Sequence, residues 1–308
     1  MTNQAIFEAA KTSRQAFSQW KKTSSRAPSR AAPAEVVQMA KQVRRESLPG
    51  SGVRVVYRHI RAKRPEMSQK LAGWGKHAFE KACFQGGLRV ESRRFVPKTT
   101  VRGDYIFPNR IEGRRIDDID RVWACDLTYL FGSDGKLVGY ATSILDVYSR
   151  RLLGLAFSKT MHAAQTSLAA LRDALAVRQK QAFEDLFFHS DGGKQFIEKN
   201  FVRLLRDHRI ESSMAADCFE NPFAEAFNDL LKNHLLHDRD LNSVAQLEKW
   251  KPFIVRAYNF NRPHGSLNGL TPVEFENQIL LLQPFQRTPL EIKIVNRTRQ
   301  PFESPFFS

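Results

Sequence analysis

Residues 121–158 read RVWACDLTYLFGSDGKLVGYATSILDVYSRRLLGLAFS. Three runs rich in β-branched, aromatic and aliphatic residues stand here: RVWACDLTYL (121–130), LVGYATSILDVYS (137–149) and RRLLGLAFS (150–158). GSDGK, residues 132–136, is a turn of the hairpin kind. The stretch therefore predicts a three-strand meander. An acid interrupts its first run. Side chains alternate along a strand, so Ala124, Asp126 and Thr128 share one face, with Trp123, Cys125 and Leu127 on the other. Taken alone, Asp126 reads as a half-buried hydrogen-bonding acid, and its neighbours decide whether it is more.

Downstream, the period changes. HAAQTSLAALRDALAVRQ (162–179) has helical spacing, and EDLFFHSD (184–191) is a short apolar run that predicts a fourth, buried strand. QFIEKNFVRLLRDHRI (195–210) places Phe196, Phe201, Leu204 and Leu205 on one helical face, and ESSM (211–214) is a short strand. NPFAEAFNDLLKNHLL (221–236) predicts a helix capped by Asn221, with Pro222 at its first position. The order βββαβαβα, a meander followed by α/β crossovers, is that of a ribonuclease H-like fold: a mixed five-stranded sheet with flanking helices.

Three acids fall at special places in this order. Asp126 lies within the first strand, Asp191 ends the fourth, and Glu225 lies in the first turn of the last helix, with 64 and 33 residues between successive members. In such a fold they converge at one edge of the sheet. That arrangement suits metal-assisted phosphoryl transfer, in which two Mg²⁺ ions about 3.5–4 Å apart bind the attacking and leaving oxygens. Mg²⁺ takes hard oxygen ligands and keeps several waters, so a few carboxylates on rigid elements suffice. Gly192 and Gly193 let a backbone approach closely after Asp191. Glu225, Asn228 and Lys232 stand at i, i+3 and i+7 on one polar helix face, so Lys232 projects near the acids, where it can meet a DNA phosphate.

Charge divides the chain. The formal net charge is +16; residues 1–110 hold 23 Lys and Arg against 7 Asp and Glu, and residues 111–308 hold 25 of each. Such asymmetry is the footprint of a polyanion-binding segment, most often for nucleic acid, with a solvated basic surface or a ribosomal-type tail as the alternative. Helical patterns at 35–45, 53–63 and 75–90 flank LPGSG and a 62–75 connection, and Arg54, Arg58, Arg61, Lys63 and Arg64 cluster among them. Residues 5–20 read as two helical pieces around Thr12-Ser13, and residues 23–34 as a Ser/Ala/Pro linker. The expected organisation is a basic helical, helix-turn-helix region at 1–95, a linker at 96–120, a catalytic core at 121–276 and an extension at 277–308. Three isolated cysteines argue against a zinc knuckle or a disulfide scaffold. No signal peptide or membrane-spanning run is read, so the expected compartment is the cytoplasm.

These residues resemble the DDE transposases of bacterial insertion sequences, whose catalytic core is like that of retroviral integrases. The resemblance rests on VWACDLTYL around Asp126, ILDVYSRRLLG, HSDGGKQF around Asp191, SMAADCFENPFAEAFNDLLKNHL around Glu225, and YNFNRPHGSLNGLTPVEF at 258–275. It implies Mg²⁺-dependent cleavage at transposon ends, with Mn²⁺ as a substitute, and strand transfer into target DNA. It makes Asp126, Asp191 and Glu225 the metal-binding triad. It also implies a homo-oligomer in a synaptic complex and leaves open a second protein of the same element. Arg262 and His264 in NRPHGSL are read as DNA contacts or helix caps. The rival readings are a ribonuclease H-like nuclease without strand transfer and a domesticated DNA-binding protein with a silent core; the intact triad and the flanking helical module count against them.

Overall fold

The computed structural model describes residues 31–90, 107–215, 221–236 and 241–293, with the single positions 15 and 239. The helical pieces expected at 5–20 lie outside the described residues, apart from position 15. The chain divides into two compact units, Met1–Glu91 and Ser92–Ser308.

In the first unit, helices α1 (Pro33–Glu46), α2 (Val53–Lys63), α3 (Pro65–Lys70) and α4 (Lys76–Gln85) enclose a small core. Val36, Val43, Val56, Ile60, Leu71 and Phe79 are fully buried there. Helix α3 occupies the stretch expected as a connection. Pro65 cannot continue α2, but its fixed φ starts a new helix at the first position.

The second unit carries β1 (Arg115–Ile116), β2 (Val122–Phe131), β3 (Leu137–Asp146), β4 (Leu152–Ser158), α5 (Ser167–Arg178) and β5 (Leu186–Ser190). Then come α6 (Lys199–Asp207), β6 (Ile210–Met214), α7 (Pro222–Leu230), α8 (Val244–Arg256), α9 (Pro272–Leu281) and β7 (Leu290–Glu291). Five strands form one sheet in the order β4-β3-β2-β5-β6. The meander is antiparallel, whereas β5 and β6 run parallel to β2, as α/β crossovers require. This is the mixed sheet of a ribonuclease H-like core, preceded by a helical module.

Strand alternation builds two layers. Trp123 and Cys125 pack with Leu168, Leu171, Phe201 and Leu205 of α5 and α6. Ala124 and Leu130 pack on the other face with Phe227 of α7 and with Leu247 and Ile254 of α8. Every residue of β5 is buried, which is why LFFHS reads as an unbroken run. Gly154 lets α5 lie directly on β4: a Cβ there would overlap the Ala170 carbonyl.

Two expected boundaries do not match the packing. Residues 115–116, expected as linker, pair antiparallel with 290–291, expected as tail. Ile116 and Ile292 are thereby buried in the core. The expected core end at 276 falls inside α9, where the Glu276 carboxylate is buried with Arg178 and Arg151. Among the described residues, no helix is long and apolar enough to cross a membrane.

Candidate active site

The β2–β5 register pairs Ala124 with His189. Carried on by two residues, it sets Asp126 level with Asp191, the first residue after β5. The Asp191 carboxylate accepts from the Gly193 amide at 3.1 Å, closing the turn that follows the strand. A Cβ at Gly193 would collide with the Gln195 side chain, so the close approach expected there is made by Gln195. Asp126 Oδ1 accepts from the Leu127 amide at 2.9 Å, and Oδ2 from Asn228 Nδ2 at 2.8 Å. Glu225 stands on α7 one turn before Asn228 and is half-buried.

The electrostatics tie the three acids together. Burial pushes the Asp126 carboxyl up to about 7, and the Asp191 charge adds to this. The Asn228 and Leu127 hydrogen bonds oppose the rise, and Glu225 adds a smaller push upward. Burial also raises the Cys125 thiol, with Asp126 and Asp191 contributing, so Cys125 is a buried thiol and offers no thiolate. Among the described residues, no three His, Cys, Asp or Glu side chains form a closed metal-ligand set. Asp126 is instead hydrogen-bonded to the amide of Asn228. The donor chemistry still fits a hard divalent cation: oxygen ligands whose mutual repulsion a cation would relieve.

Helix α7 is fastened to β2 by polar side chains. Asn221, expected as a helix cap, makes no such bond; its Nδ2 donates to the Cys125 carbonyl at 2.8 Å. The reason is its burial at the sheet. Lys232 Nζ donates to Thr128 Oγ1 at 3.1 Å. Thr128 is two residues beyond Asp126 on the same strand face, about 7 Å along β2. Lys232 thus lies beside the acids, in a π-helical turn, Leu231–Leu235, that continues α7.

Asn228, Ser143 and Thr128 were not singled out as functional by their sequence. Asn228 is 3% exposed, and its Oδ1 accepts from Ser143 Oγ at 3.3 Å. The only signal was its i+3 spacing from Glu225.

Other expected residues are placed as follows. His264 packs edge-on against Tyr258, at 4.9 Å between ring centroids, and heads the short turn Gly265–Leu267. Burial, then Arg262, pushes it down to about 3. It is neutral at physiological pH. Arg262 is half-buried beside the same tyrosine. In the N-terminal unit Arg58 is exposed, Arg54 pairs with Glu80 at 2.8 Å, and Arg61 donates to the Ser68 carbonyl at 3.1 Å. His189 bonds Ser213 across the β5–β6 pair at 2.9 Å. Asp146 accepts from the Ser149 amide and pairs with Arg178, while Arg150 lies over the Phe223 ring.

The chain is similar to known proteins over its second unit. Residues 119–217 match an integrase core domain family model, and residues 206–272 match a second integrase core domain model. Transposase InsF for insertion sequence IS3fB of Escherichia coli (strain K12) is 33% identical over 200 residues, spanning 63% of this chain and 68% of that protein. The insertion element IS600 uncharacterized 31 kDa protein of Shigella sonnei is 28% identical, over 52% of this chain and 58% of its own length. Among solved structures, the HTLV-2 integrase catalytic core domain in complex with magnesium aligns at 16% identity and a TM-score of 0.40, over 52% of this chain and 97% of that one. With two integrase core domain matches and one-third identity to InsF over 200 aligned residues, this chain belongs to the insertion-sequence DDE transposases.

Proposed function

We propose that Asp126, Asp191 and Glu225 are the catalytic, metal-binding triad with which this transposase cleaves transposon ends and joins them to target DNA. The observation that carries the reading is geometric: Asp126 lies within β2, Asp191 directly follows the adjacent parallel strand β5, and Glu225 stands on α7, which Asn228 fastens to Asp126; burial first, then Asp191 and least Glu225, pushes the Asp126 carboxyl up to about 7. Divalent ions, Mg²⁺ or Mn²⁺ and two in number, would be held by these three carboxylates and, when bound, activate the attacking oxygen and stabilise the leaving one. The protein's own share is placement. One acid rides on β2, the second directly follows the adjacent parallel strand β5, and the third stands on a helix fastened to β2, which suits a reaction needing fixed oxygen positions.

Double-stranded DNA is the substrate on both sides of the reaction. Lys232, whose Nζ donates to Thr128 beside the acids, is read as a contact to a phosphate of the transposon end, acting as a point charge. The basic N-terminal unit, with Arg54, Arg58 and Arg61 on α2, supplies further grip on DNA. Arg262 is a weaker candidate contact, being half-buried. Pairing of two ends calls for a homo-oligomer, with or without a second protein of the same element, working on DNA in the bacterial cytoplasm.

Asp191→Asn tests the triad. The reading expects cleavage to fall by at least about a hundredfold while gel-shift affinity for the ends stays near that of the parent. Parental cleavage by Asp191→Asn would remove Asp191 from the chemistry.

A further inference from the structure

Helix α7 and the residues flanking it meet β2 through three side-chain bonds: Asn221 to the Cys125 carbonyl, Asn228 to Asp126 and Lys232 to Thr128. The middle bond is the one that touches an acid. Asn228 Nδ2 donates to Asp126 Oδ2 at 2.8 Å, while Ser143 Oγ donates to Asn228 Oδ1 at 3.3 Å. Ser143 is fully buried and sits directly across from Asp126 in the β2–β3 register. The two asparagines and Ser143 lie within the protein, so none of these bonds competes freely with water.

We propose that Asn228, with its amide oriented by Ser143, is a positioning residue that holds the Asp126 carboxylate for a divalent cation. The inference rests on the triad reading above. Its physical basis is the direction of the amide. A flipped amide would set its carbonyl oxygen against an ionised carboxylate, two acceptors face to face. The orientation that satisfies Ser143 and an ionised Asp126 together is the one with Nδ2 toward the acid. Asp126 is then pinned at both oxygens, by the Leu127 amide on one and Asn228 on the other. Two of its four acceptor sites remain for a cation. A carboxylate fixed in this way loses little rotamer freedom when the cation arrives. Groups that orient metal ligands from behind typically contribute 10–100-fold to metal affinity.

The bonds at Asn221 and Lys232 bracket Asn228 along one side of α7. They hold the helix in the register that also carries Glu225, one turn before Asn228. A role confined to stabilising the fold would change the melting temperature alone. A positioning role changes how much metal is needed.

The test is a Mg²⁺ and Mn²⁺ titration of the thermal unfolding midpoint on the full chain without DNA, for the parent, Asn228→Leu, Ser143→Ala and Asp126→Asn. Leucine keeps the branched shape of asparagine, though it is bulkier, and removes the donor; Ser143→Ala frees the amide to turn. The expected result is a rise of about ten- to hundredfold in the half-saturating metal concentration for Asn228→Leu. A rise of at least about threefold is expected for Ser143→Ala, which carries the test alone if the leucine variant does not fold. Asp126→Asn should lose the metal response. Half-saturation within about twofold of the parent in the folded variants, with Asp126→Asn unresponsive, overturns the role of Asn228 and leaves the triad standing. A parental response in Asp126→Asn, or none in the parent, overturns the triad reading and this proposal together.

Discussion

Burial and charge both press on Asp126. Its ordinary value is 3.8, and in the folded chain it rises to about 7, first through burial and then through Asp191. Between these values the metal-free folded chain keeps a proton that the unfolded chain has released. Stability therefore falls as pH rises from about 4 to about 7. A divalent cation must displace that proton, so metal affinity rises over the same window. Asp126→Asn is uncharged throughout. Without metal, above pH 7, it should be more stable than the parent by about 1–3 kcal/mol, an allowance for the residue's partial exposure, and the two should converge near pH 4. Thermal unfolding in chelator across this range checks it, and equal slopes for both proteins would show a carboxyl that ionises as an exposed acid. The places of the three acids in the fold were legible in the sequence because each interrupts a strong local pattern: a strand interior, a strand end before two glycines, a first helical turn. Asn221 and Asn228 were not. Their partners lie on β2, about a hundred positions away in sequence, and no local pattern distinguishes an amide that caps a helix from one that reaches a sheet.

At the scale of elements, the strands and helices with clean period 2 or 3.6 were legible, and those built from long-range contacts were not. β1 and β7 are two residues each and exist through their mutual pairing. α8, absent from the expected order, carries Pro252 inside it, which weakens a helical reading. The buried ion cluster is also non-local. Arg178 at the end of α5 meets Asp120, Asp146 and Glu276, and Glu276 also holds Arg151. Glu276→Ala leaves two arginines without that carboxylate and should cost about 3–5 kcal/mol in denaturant unfolding. Arg110→Ala, which breaks an exposed pair with Glu211, should cost less than about 1 kcal/mol. Equal losses would mean that the cluster is solvated like the surface pair. Gly154→Ala probes the α5–β4 contact. The added methyl meets the Ala170 carbonyl, backbone that cannot rotate away, and should destabilise by about 2 kcal/mol or more; an unfolding curve matching the parent would show that α5 can shift.

On the scale of the whole molecule, charge and chemistry are divided. The +16 excess lies in residues 1–110, and the rest of the chain balances. A fragment of residues 107–308 keeps the described core and should lose most of the affinity for duplex DNA and most of the slope of log affinity against log salt. Fluorescence titration at several salt concentrations measures both, and an unchanged slope would place the grip on DNA in the core. The central claim, that this transposase works through Asp126, Asp191 and Glu225, is tested most directly by strand transfer. Pre-cut ends of the element are mixed with target DNA and Mg²⁺, using the full chain and Asp126→Asn, Asp191→Asn and Glu225→Gln in turn. The account predicts joined product from the parent and a loss of at least about a hundredfold from each variant, with the ends still bound. Joining at the parental rate by any one of the three variants would contradict it.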